Sequence, residues 1–322
     1  MQTPGMLVFS QTGKDAFAKL AEYAKLAEAR GLRNFLVTES MTDSLAIAQH
    51  LATITSRIQV GTGITNIYLR HPSITALHAM TIEALAPGRL LLGLGTSHVP
   101  INNAYGIQMD KPLTALRDCI GTIRKMARGE TPFARVGMAP AKTDGNIPIY
   151  IAGISPKSIE LTGEIADGSL PLNYGPQGLR EVVDGIARGA RMAGRKPQDV
   201  SIALIMHCCV CPDRALAMRS VKSTLARYGS MPFYNRLFAR QNFVREAEGI
   251  AAAAAKGDMA AAAAAVSDEM AENVAAMGTP AECRKKLEEF EKAGATYVVL
   301  YPVPIADDYD RGVHAVLQAF GG

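Results

Sequence analysis

The sequence predicts an α/β fold in which eight parallel strands, each followed by helix, close into a (β/α)8 TIM barrel. One observation is eight short, β-branched and continuously apolar runs, the pattern of strands buried on both faces. Another is that these runs alternate with segments of helical periodicity. A third is that neither Gly61-x-Gly63 nor Gly93-x-Gly95 is followed by the third glycine or alanine of a dinucleotide-binding open sheet. A chain of 322 residues suits a barrel in a single domain, residues 1–322.

The first half of the chain predicts four strand and helix pairs. Apolar runs predict strands at Met6–Ser10, Asn34–Thr38, Ile58–Ile64 and Leu90–Gly95. Apolar residues at helical spacing predict helices at Asp15–Arg30, Asp43–Ser56, Pro72–Ala86 and Leu113–Arg128. Gly31 ends the first helix, and Pro72 opens the third at the favoured first-turn position. The irregular stretch Ser97–Pro112 is too long for a minimal loop, which predicts a functional role.

The second half continues the alternation but adds a long helical segment. Strands are predicted at Ile147–Ala152, Gly168–Leu172, Ser201–Val210 and Thr296–Tyr301. Helices are predicted at Ser155–Ala166, Leu179–Ala193, Ala281–Ala293 and Asp308–Phe320. Residues 214–277 have a helical pattern throughout, which predicts a helical insertion between the seventh and eighth strands. The segment Gly129–Asn146 has no clear period.

Composition excludes some classes of function. The net charge is +4, and no block of five or six basic residues occurs, so nucleic-acid binding is not indicated. The alanine-rich tract Gly249–Val266 is interrupted by Lys256-Gly257-Asp258, which predicts two helical pieces and no membrane span. We expect neither nucleic acid nor membrane as a partner.

Five cysteines are spread over the chain: Cys119, Cys208, Cys209, Cys211 and Cys283. The odd number, the size of the chain and the lack of a signal peptide predict a reducing cytoplasm. The spacing of the central three is wrong for a zinc site, and neighbours in an apolar run point to opposite faces. We therefore predict small buried core residues and no metal site.

Active sites of such barrels gather where the strands end at their carboxyl side. That rule nominates Ser10, Glu39, Gly63 to Asn66, Gly95 to His98, Gly153 to Lys157, Asn173 and Tyr301. Each also has an ordinary structural interpretation. Glu39 could be a helix N-terminal charge, Asn66 a turn residue, and His98 one of six unremarkable histidines.

The sharpest single site is the start of the fifth predicted helix. Ser155 stands at the N-cap position, Pro156 at the first helical position, and Lys157 and Ser158 in the first turn. Free N–H groups, hydroxyls and a cation at a helix N-terminus are suited to phosphate, although an ordinary capped helix would look similar. No nucleophile or metal motif is apparent, so the chemistry is expected to come from a bound organic cofactor.

Four motifs carry a family resemblance: Gly61–Asn66, Arg70–Pro72, Gly88–Gly95 and Ala152–Gly168. Together they resemble the bacterial luciferase-like superfamily of flavin- and deazaflavin-dependent oxidoreductases. Within it, the chain is most similar to the coenzyme F420-dependent methylenetetrahydromethanopterin reductases. The resemblance implies a barrel that holds coenzyme F420 or FMN at the strand ends. It also implies a non-prolyl cis peptide, matched here by Gly63–Ile64, behind the cofactor ring.

The resemblance also implies site residues and an assembly. The implied cofactor-binding residues are Gly63, Ile64, Asn66, Gly95, Thr96, Ser97, Gly153, Ile154, Ser155, Pro156 and Lys157, with Glu39 beside them. Glu39 and Ser10 are the catalytic candidates. Ser10 stands where the reductases carry an acidic residue, and Glu39-Ser40 where many deazaflavin enzymes carry Asp-His. The family resemblance implies a homodimer or homotetramer.

These observations predict an oxidoreductase that transfers a hydride between F420 or a flavin and a small organic substrate. One alternative is an FMN-dependent monooxygenase that uses reduced flavin and molecular oxygen. The other, from a different class, is a barrel that binds a cofactor without catalysis.

Overall fold

The computed structural model describes residues 1–130 and 146–321 of the chain. In chain order the strands are β1 (Gly5–Val8), β2 (Asn34–Val37), β3 (Gln59–Thr62), β4 (Thr65–Asn66), β5 (Leu90–Gly95), β6 (Ile149–Ile151), β7 (Gly168–Ser169), β8 (Ser201–Val210), β9 (Ala275–Gly278) and β10 (Tyr297–Pro302). In the described part of the chain, eight of them, all except β4 and β9, pair in parallel and close into a barrel where β10 pairs with both β8 and β1. The predicted barrel is confirmed.

Helices surround this barrel. They are α1 (Ala16–Ala29), α2 (Ser44–Ile54), α3 (Pro72–Leu85), α4 (Val99–Ala104), α5 (Pro112–Ala127), α6 (Pro156–Ile165), α7 (Pro176–Met192), α8 (Arg214–Gly229), α9 (Pro232–Arg240), α10 (Val244–Ala254), α11 (Met259–Ala264), α12 (Asp268–Val274), α13 (Pro280–Lys292) and α14 (Tyr309–Phe320). None of the described helices combines the length and the apolar run that a membrane crossing needs.

Two details near the strand ends differ from the expectation. β3 ends at Thr62, and pairing with β5 resumes two residues later as β4. The intervening Gly63–Ile64 peptide is cis, as predicted. The stretch Ser97–Pro112 was expected to be irregular, but it contains the short helix α4, in whose first turn Pro100 provides a favourable backbone angle. Most of the predicted irregular segment Gly129–Asn146 lies outside the described residues.

The insertion is helical from Arg214 to Val274, and its alanine-rich part forms α10 and α11 as predicted. The expectation of helix up to Met277 was wrong, because Ala275–Gly278 forms β9. β8 has ten residues and is too long for the barrel alone: β7 pairs with its start, and β9 pairs with its last four residues. The backbone groups at the buried end of β8 need hydrogen-bond partners. Ala275–Gly278 supplies them as a strand, although alanine by itself prefers helix.

The strands separate two apolar layers because successive side chains alternate between the faces of the sheet. Met6 and Val8 pack outward against the helices, whereas Leu7 points into the barrel. The interior cluster consists of Leu7, Leu36, Leu91, Tyr150, Leu170, Ala203, Ile205, Tyr297, Val299 and Tyr301. All five cysteines are buried, as predicted. No three His, Cys, Asp or Glu side chains among the described residues are grouped to hold a metal.

Two glycines allow β3 and β5 to approach closely. A Cβ at Gly61 would lie 1.9 Å from the carbonyl oxygen of Leu91, and a Cβ at Gly93 would lie 2.0 Å from that of Thr62. Both positions therefore exclude any side chain, because backbone atoms cannot move aside as a flexible side chain could. Gly61 and Gly93 therefore serve the packing of the barrel wall.

Glu28 in α1 anchors the turn that leads into β3. Its Oε1 accepts backbone N–H hydrogen bonds from Ser56, Arg57 and Ile58 at 2.8, 2.6 and 3.0 Å. Burial alone would raise the pKa of this carboxyl, but the three donors outweigh it and lower the pKa to about 2. The charged carboxylate thus ties α1 to the start of the third strand.

We expect Glu28→Gln to lower the free energy of unfolding by about 1 kcal/mol at neutral pH, because the charged acceptor is lost. A depressed pKa stabilises the fold above the ordinary value of 4.5, and that stabilisation disappears as the pH falls towards about 2. The difference between variant and wild type should therefore shrink over that window in urea titrations. Glu22→Gln on the exposed face of α1 is the control, and an equal loss from both substitutions would contradict this role.

Candidate functional site

The open end of the barrel is marked by a ring of partly exposed side chains above the interior cluster. These are Phe9, Ile64, Ala152, Leu172 and Tyr228, which we call the mouth. The first four follow or end strands β1, β3, β6 and β7, so the mouth lies at the carboxyl side of the barrel, where the active site was expected. Tyr228 comes from α8 of the insertion.

Glu39 follows β2 and is almost completely buried, with its side chain 2% exposed. Its carboxylate forms an ion pair with Arg70, which also contacts Asp43 at 2.9 Å. It also accepts hydrogen bonds from the backbone N–H of Asn66 at 2.6 Å and from the Ser44 hydroxyl at 3.1 Å. Both carboxylate oxygens are therefore occupied by protein groups, and the residue joins β2, α2 and β4.

A chain of amide groups continues from this carboxylate towards β5. Asn66 Nδ2 donates to Asn102 Oδ1 at 2.7 Å, and Asn102 Nδ2 donates to the carbonyl of Thr96 at 2.9 Å. Ser97 follows in the left-handed region, with φ of 56°. The structure thus brings three predicted site residues, Glu39, Asn66 and Thr96, into one network, which the buried Asn102 of α4 completes.

Ser10 does not lie free in the mouth. It is fully buried, its hydroxyl donates to the carbonyl of Thr38 at 2.7 Å, and it accepts from the Thr42 hydroxyl at 2.8 Å. The residue at the rim of the mouth in this part of β1 is Phe9. The catalytic role of Ser10 remains a prediction, and its observed contacts tie β1 to the segment after β2.

The predicted cofactor glycines pack against protein side chains. A Cβ at Gly95 would lie 3.0 Å from Ile64 Cγ1, and one at Gly63 would lie 2.9 Å from Leu7 Cδ1. At Gly153 it would lie 2.9 Å from the Ser158 hydroxyl. The close contact with Ser158 is an ordinary structural reason for glycine at position 153, and its cofactor-binding role stays a prediction.

The segment from Gly153 to Lys157 leads into α6 as predicted. Ser155 is the N-cap residue and accepts a hydrogen bond from the backbone N–H of Ser158 at 3.1 Å. The carbonyl of Ile154 accepts hydrogen bonds from the Arg240 guanidinium at 3.0 Å and from the Tyr174 hydroxyl at 3.2 Å. A cation from α9 of the insertion therefore lies beside the helix N-terminus, a contact that no local sequence pattern marks.

Lys157 has a different environment from its neighbours. It is exposed and lines a surface cavity of about 370 Å³ together with Leu113, Arg117 and Glu164, between α5 and α6. Arg117 and Glu164 form a two-pronged ion pair there, with both N–O distances 2.6 Å. The structure thus puts Lys157 beside a groove on the outer face of the barrel.

An aromatic row covers the side of the mouth that the insertion faces. In order along the row, neighbouring ring centroids are 5.4 Å apart for His98 and Tyr234, 4.9 Å for Tyr234 and Tyr228, 5.0 Å for Tyr228 and His207, and 5.1 Å for His207 and Tyr301. Strand-end rules found His98 and Tyr301. They missed the other three, because His207 lies within β8, and Tyr228 and Tyr234 belong to the insertion.

Four side chains near the strand ends have buried polar atoms without a hydrogen-bond partner among the described residues. They are Asn173 after β7, with both amide atoms, His207 with both ring nitrogens, His98 with Nδ1 and Ser40 with Oγ. Asn173 and His207 are each 1% exposed. Buried polar groups are normally paired, so these residues are suited to a polar ligand in the mouth. This donor set fits an organic cofactor or substrate with amide-like edges.

Comparison with known proteins agrees with this fold. Residues 3–297 match the family described as luciferase-like monooxygenase. The 5,10-methylenetetrahydromethanopterin reductase of Methanolobus tindarius is 32% identical, over 94% of this chain and 95% of the relative.

Two solved structures have the same fold. The coenzyme F420-dependent tetrahydromethanopterin reductase of Methanopyrus kandleri superposes with a TM-score of 0.82 at 26% identity, over 98% of this chain and 97% of the other. An FMN complex of the oxygenating component of 3,6-diketocamphane monooxygenase from Pseudomonas putida has a TM-score of 0.70 at 16% identity, over 99% and 98%. At that identity the second likeness concerns the fold alone.

Burial lowers the pKa of His207 from its ordinary value of 6.5 to about 3, with a smaller contribution from Arg227. Between these values the unfolded chain binds a proton that the folded chain excludes, so stability falls as the pH decreases. From about pH 6.5 to about pH 4.5, we expect His207 to account for a loss of about 2–3 kcal/mol.

Denaturant titrations of wild type and His207→Gln at several pH values measure this loss. The variant should show a smaller decrease in stability on acidification, whatever its stability at neutral pH. His50→Gln on the exposed side of α2 serves as the control and should keep the wild-type dependence. Parallel curves for the wild type and His207→Gln would show that the imidazole is not held neutral by burial.

Proposed function

The chain belongs to the luciferase-like monooxygenase family, and on that basis we propose that it is a coenzyme F420-dependent reductase of 5,10-methylenetetrahydromethanopterin. The reductase relatives supply the names of cofactor and substrate. One structural observation carries the proposal: the capped N-terminus of α6, the Glu39 network and the unpaired side chain of Asn173 lie at the carboxyl side of one barrel. That side is where barrel enzymes bind their substrates.

When bound, the cofactor supplies the carbon that gives or takes a hydride. The proposed role of the chain is to bind and orient. Ile64 and Gly95 form an apolar backing for the flat ring, and Asn66, Thr96 and Ser97 form a polar edge beside it.

The Glu39 carboxylate keeps that edge in position through the backbone N–H of Asn66. Because both of its oxygens are already bonded, we assign Glu39 to positioning in the ligand-free enzyme. Ser10 is assigned the same kind of role, since its hydroxyl bonds to Thr38 and Thr42.

Phosphate binding is proposed at the start of α6. The backbone N–H of Lys157, which has no acceptor among the described residues, and the helix dipole favour an anion there. Arg240 and Lys157 would supply positive charge, with Arg240 the nearer to the loop because it bonds the carbonyl of Ile154. Gly153 and Pro156 then serve to shape the turn.

The insertion is proposed to form the substrate side of the site. Its helices α8 and α9 contribute Tyr228 and Tyr234, whose rings pack between His98 and His207 and shield the mouth from water. Excluding water protects a hydride donor and strengthens polar contacts to the substrate. We also infer a reducing compartment such as the cytoplasm from the five buried free thiols.

Absorbance and fluorescence titrations test the cofactor assignment. We expect the purified protein to bind F420 at micromolar concentration and to bind FMN much more weakly. Arg240→Gln and Lys157→Ala should each weaken F420 binding about 3- to 30-fold, because each removes a charged partner of the phosphate.

Arg188→Gln on α7 is the matched control, since that side chain pairs with Glu160 at an exposed position. Tight binding of FMN without F420 would support the monooxygenase alternative instead. Binding of F420 without reduction of methylenetetrahydromethanopterin would favour a non-catalytic barrel or a different substrate. Unchanged affinity in Lys157→Ala would remove that residue from the phosphate site.

We further infer a homodimer or homotetramer that assembles through α3. This helix exposes Ile74, Leu77 and Leu85, with side chains 54%, 36% and 52% exposed, along one face. An exposed apolar stripe on a regular helix is a common feature of subunit interfaces. We expect the native protein to sediment above the 34.3 kDa of one chain.

The double substitution Ile74→Lys with Leu85→Lys should reduce the assembly towards a single chain. Met192→Lys, at an 83% exposed position on α7, should leave it intact. Sedimentation of the native protein as a monomer would contradict the assembly, and an intact double variant would exclude α3 as the interface.

A further inference from the structure

His207 lies in the barrel interior on the longest strand. Its backbone pairs with Ala275 of β9 and with Tyr301 of β10. Ala203 and Ile205, four and two residues earlier, belong to the interior cluster, so the alternation of the strand turns His207 to the same side. The side chain is 1% exposed, and neither ring nitrogen has a partner among the described residues.

The rings around it leave only the polar edge of the imidazole unsatisfied. Tyr301 stacks at 5.1 Å with an interplanar angle of 24°, and Tyr228 packs at 5.0 Å with 54°. A residue selected for packing alone would be better served by phenylalanine, because burying two polar nitrogens without partners costs free energy. The imidazole at this position therefore points to a hydrogen-bonding ligand.

The ligand position follows from the neighbours of the ring. Tyr301 is part of the interior cluster, and Ile64 and Tyr228 pack against that same cluster from the mouth. A flat molecule bound beside Tyr228, which is only partly buried, could contact the His207 edge while Ile64 stays against the cofactor ring.

We propose that His207 orients the substrate by hydrogen-bonding the polar edge of its reduced pterin ring. The inference rests on the proposed function and adds a residue to it. A neutral imidazole offers one N–H donor and one acceptor nitrogen, and a pterin ring carries both amide N–H donors and a carbonyl acceptor. The flat ring also matches the aromatic sides that Tyr228 and Tyr301 provide.

The charge state of the imidazole agrees with this role. Burial and the neighbouring Arg227 lower the pKa of His207 to about 3, so the ring is neutral near neutral pH and has both a donor and an acceptor. The titratable groups packed against it are Tyr228 and Tyr301, and burial raises the pKa of both hydroxyls, so they also stay neutral. His207 is thus a positioning residue and does not act as an acid.

Binding of 5,10-methylenetetrahydromethanopterin to the full chain with F420 present tests this role. Calorimetry gives the dissociation constant, and ¹⁵N NMR reports the two ring nitrogens of His207. We expect both ¹⁵N shifts to move on binding. His207→Phe should weaken pterin binding about 10- to 100-fold, the typical effect of losing hydrogen bonds at a buried site, whereas His207→Gln should recover part of it.

F420 affinity should stay within about twofold in both variants, because the ring contacts the substrate side only. Tyr297→Phe is the matched control, since it removes a buried interior hydroxyl bonded to Asn34 at the opposite end of the barrel. It should leave pterin affinity unchanged.

Three outcomes overturn the proposal, and they can be told apart. Pterin binding that is equal in wild type, His207→Phe and His207→Gln removes His207 from the site but leaves the proposed function intact. Unmoved ¹⁵N shifts on pterin binding do the same, even if the phenylalanine variant fails to fold. Binding of F420 without pterin binding excludes the pterin role of His207 together with the proposed substrate, while the cofactor assignment stands.

Discussion

The buried carboxylate of Glu39 is the interaction on which the arrangement of the open end of the barrel depends. Its partners are the guanidinium of Arg70, the hydroxyl of Ser44 and the backbone N–H of Asn66. A buried charge is stable only when it is fully paired, so these three segments must keep fixed positions relative to β2. From Asn66 the chain of hydrogen bonds continues through Asn102 to the carbonyl of Thr96, the residue that follows β5.

A second constraint comes from the length of β8. Its ten residues extend beyond the neighbouring strands of the barrel. β9 supplies hydrogen-bond partners for the backbone of its last four residues. The insertion between these two strands therefore begins and ends next to the mouth, which brings α8 and α9 over it. The long strand β8 and the insertion meet at His207. Its backbone pairs with β9 and β10, and its ring packs against Tyr228 of the insertion.

Much of the fold and part of the candidate site could be predicted from the sequence. The eight strands were found because strands buried on both faces need continuous apolar runs, and the rule that barrel sites lie at strand ends led to Glu39, Asn66, Thr96 and Ser155. Residues from distant parts of the chain could not be found in this way. Arg240 bonds to Ile154 across 86 positions in sequence, and no local pattern marks such a contact.

The sequence by itself determined the barrel, the capped start of α6, the burial of the cysteines and the family. Each of these depends on local periodicity, on capping chemistry or on motifs of a few residues. Only the tertiary structure decided that Ser10 is bonded away from the mouth, that Lys157 lines an outer groove, and that Ala275–Gly278 is a strand. The physical reason is that hydrogen-bond partners and burial are properties of segments that meet in space, and alanine-rich or polar residues accept whichever backbone pairing their neighbours require.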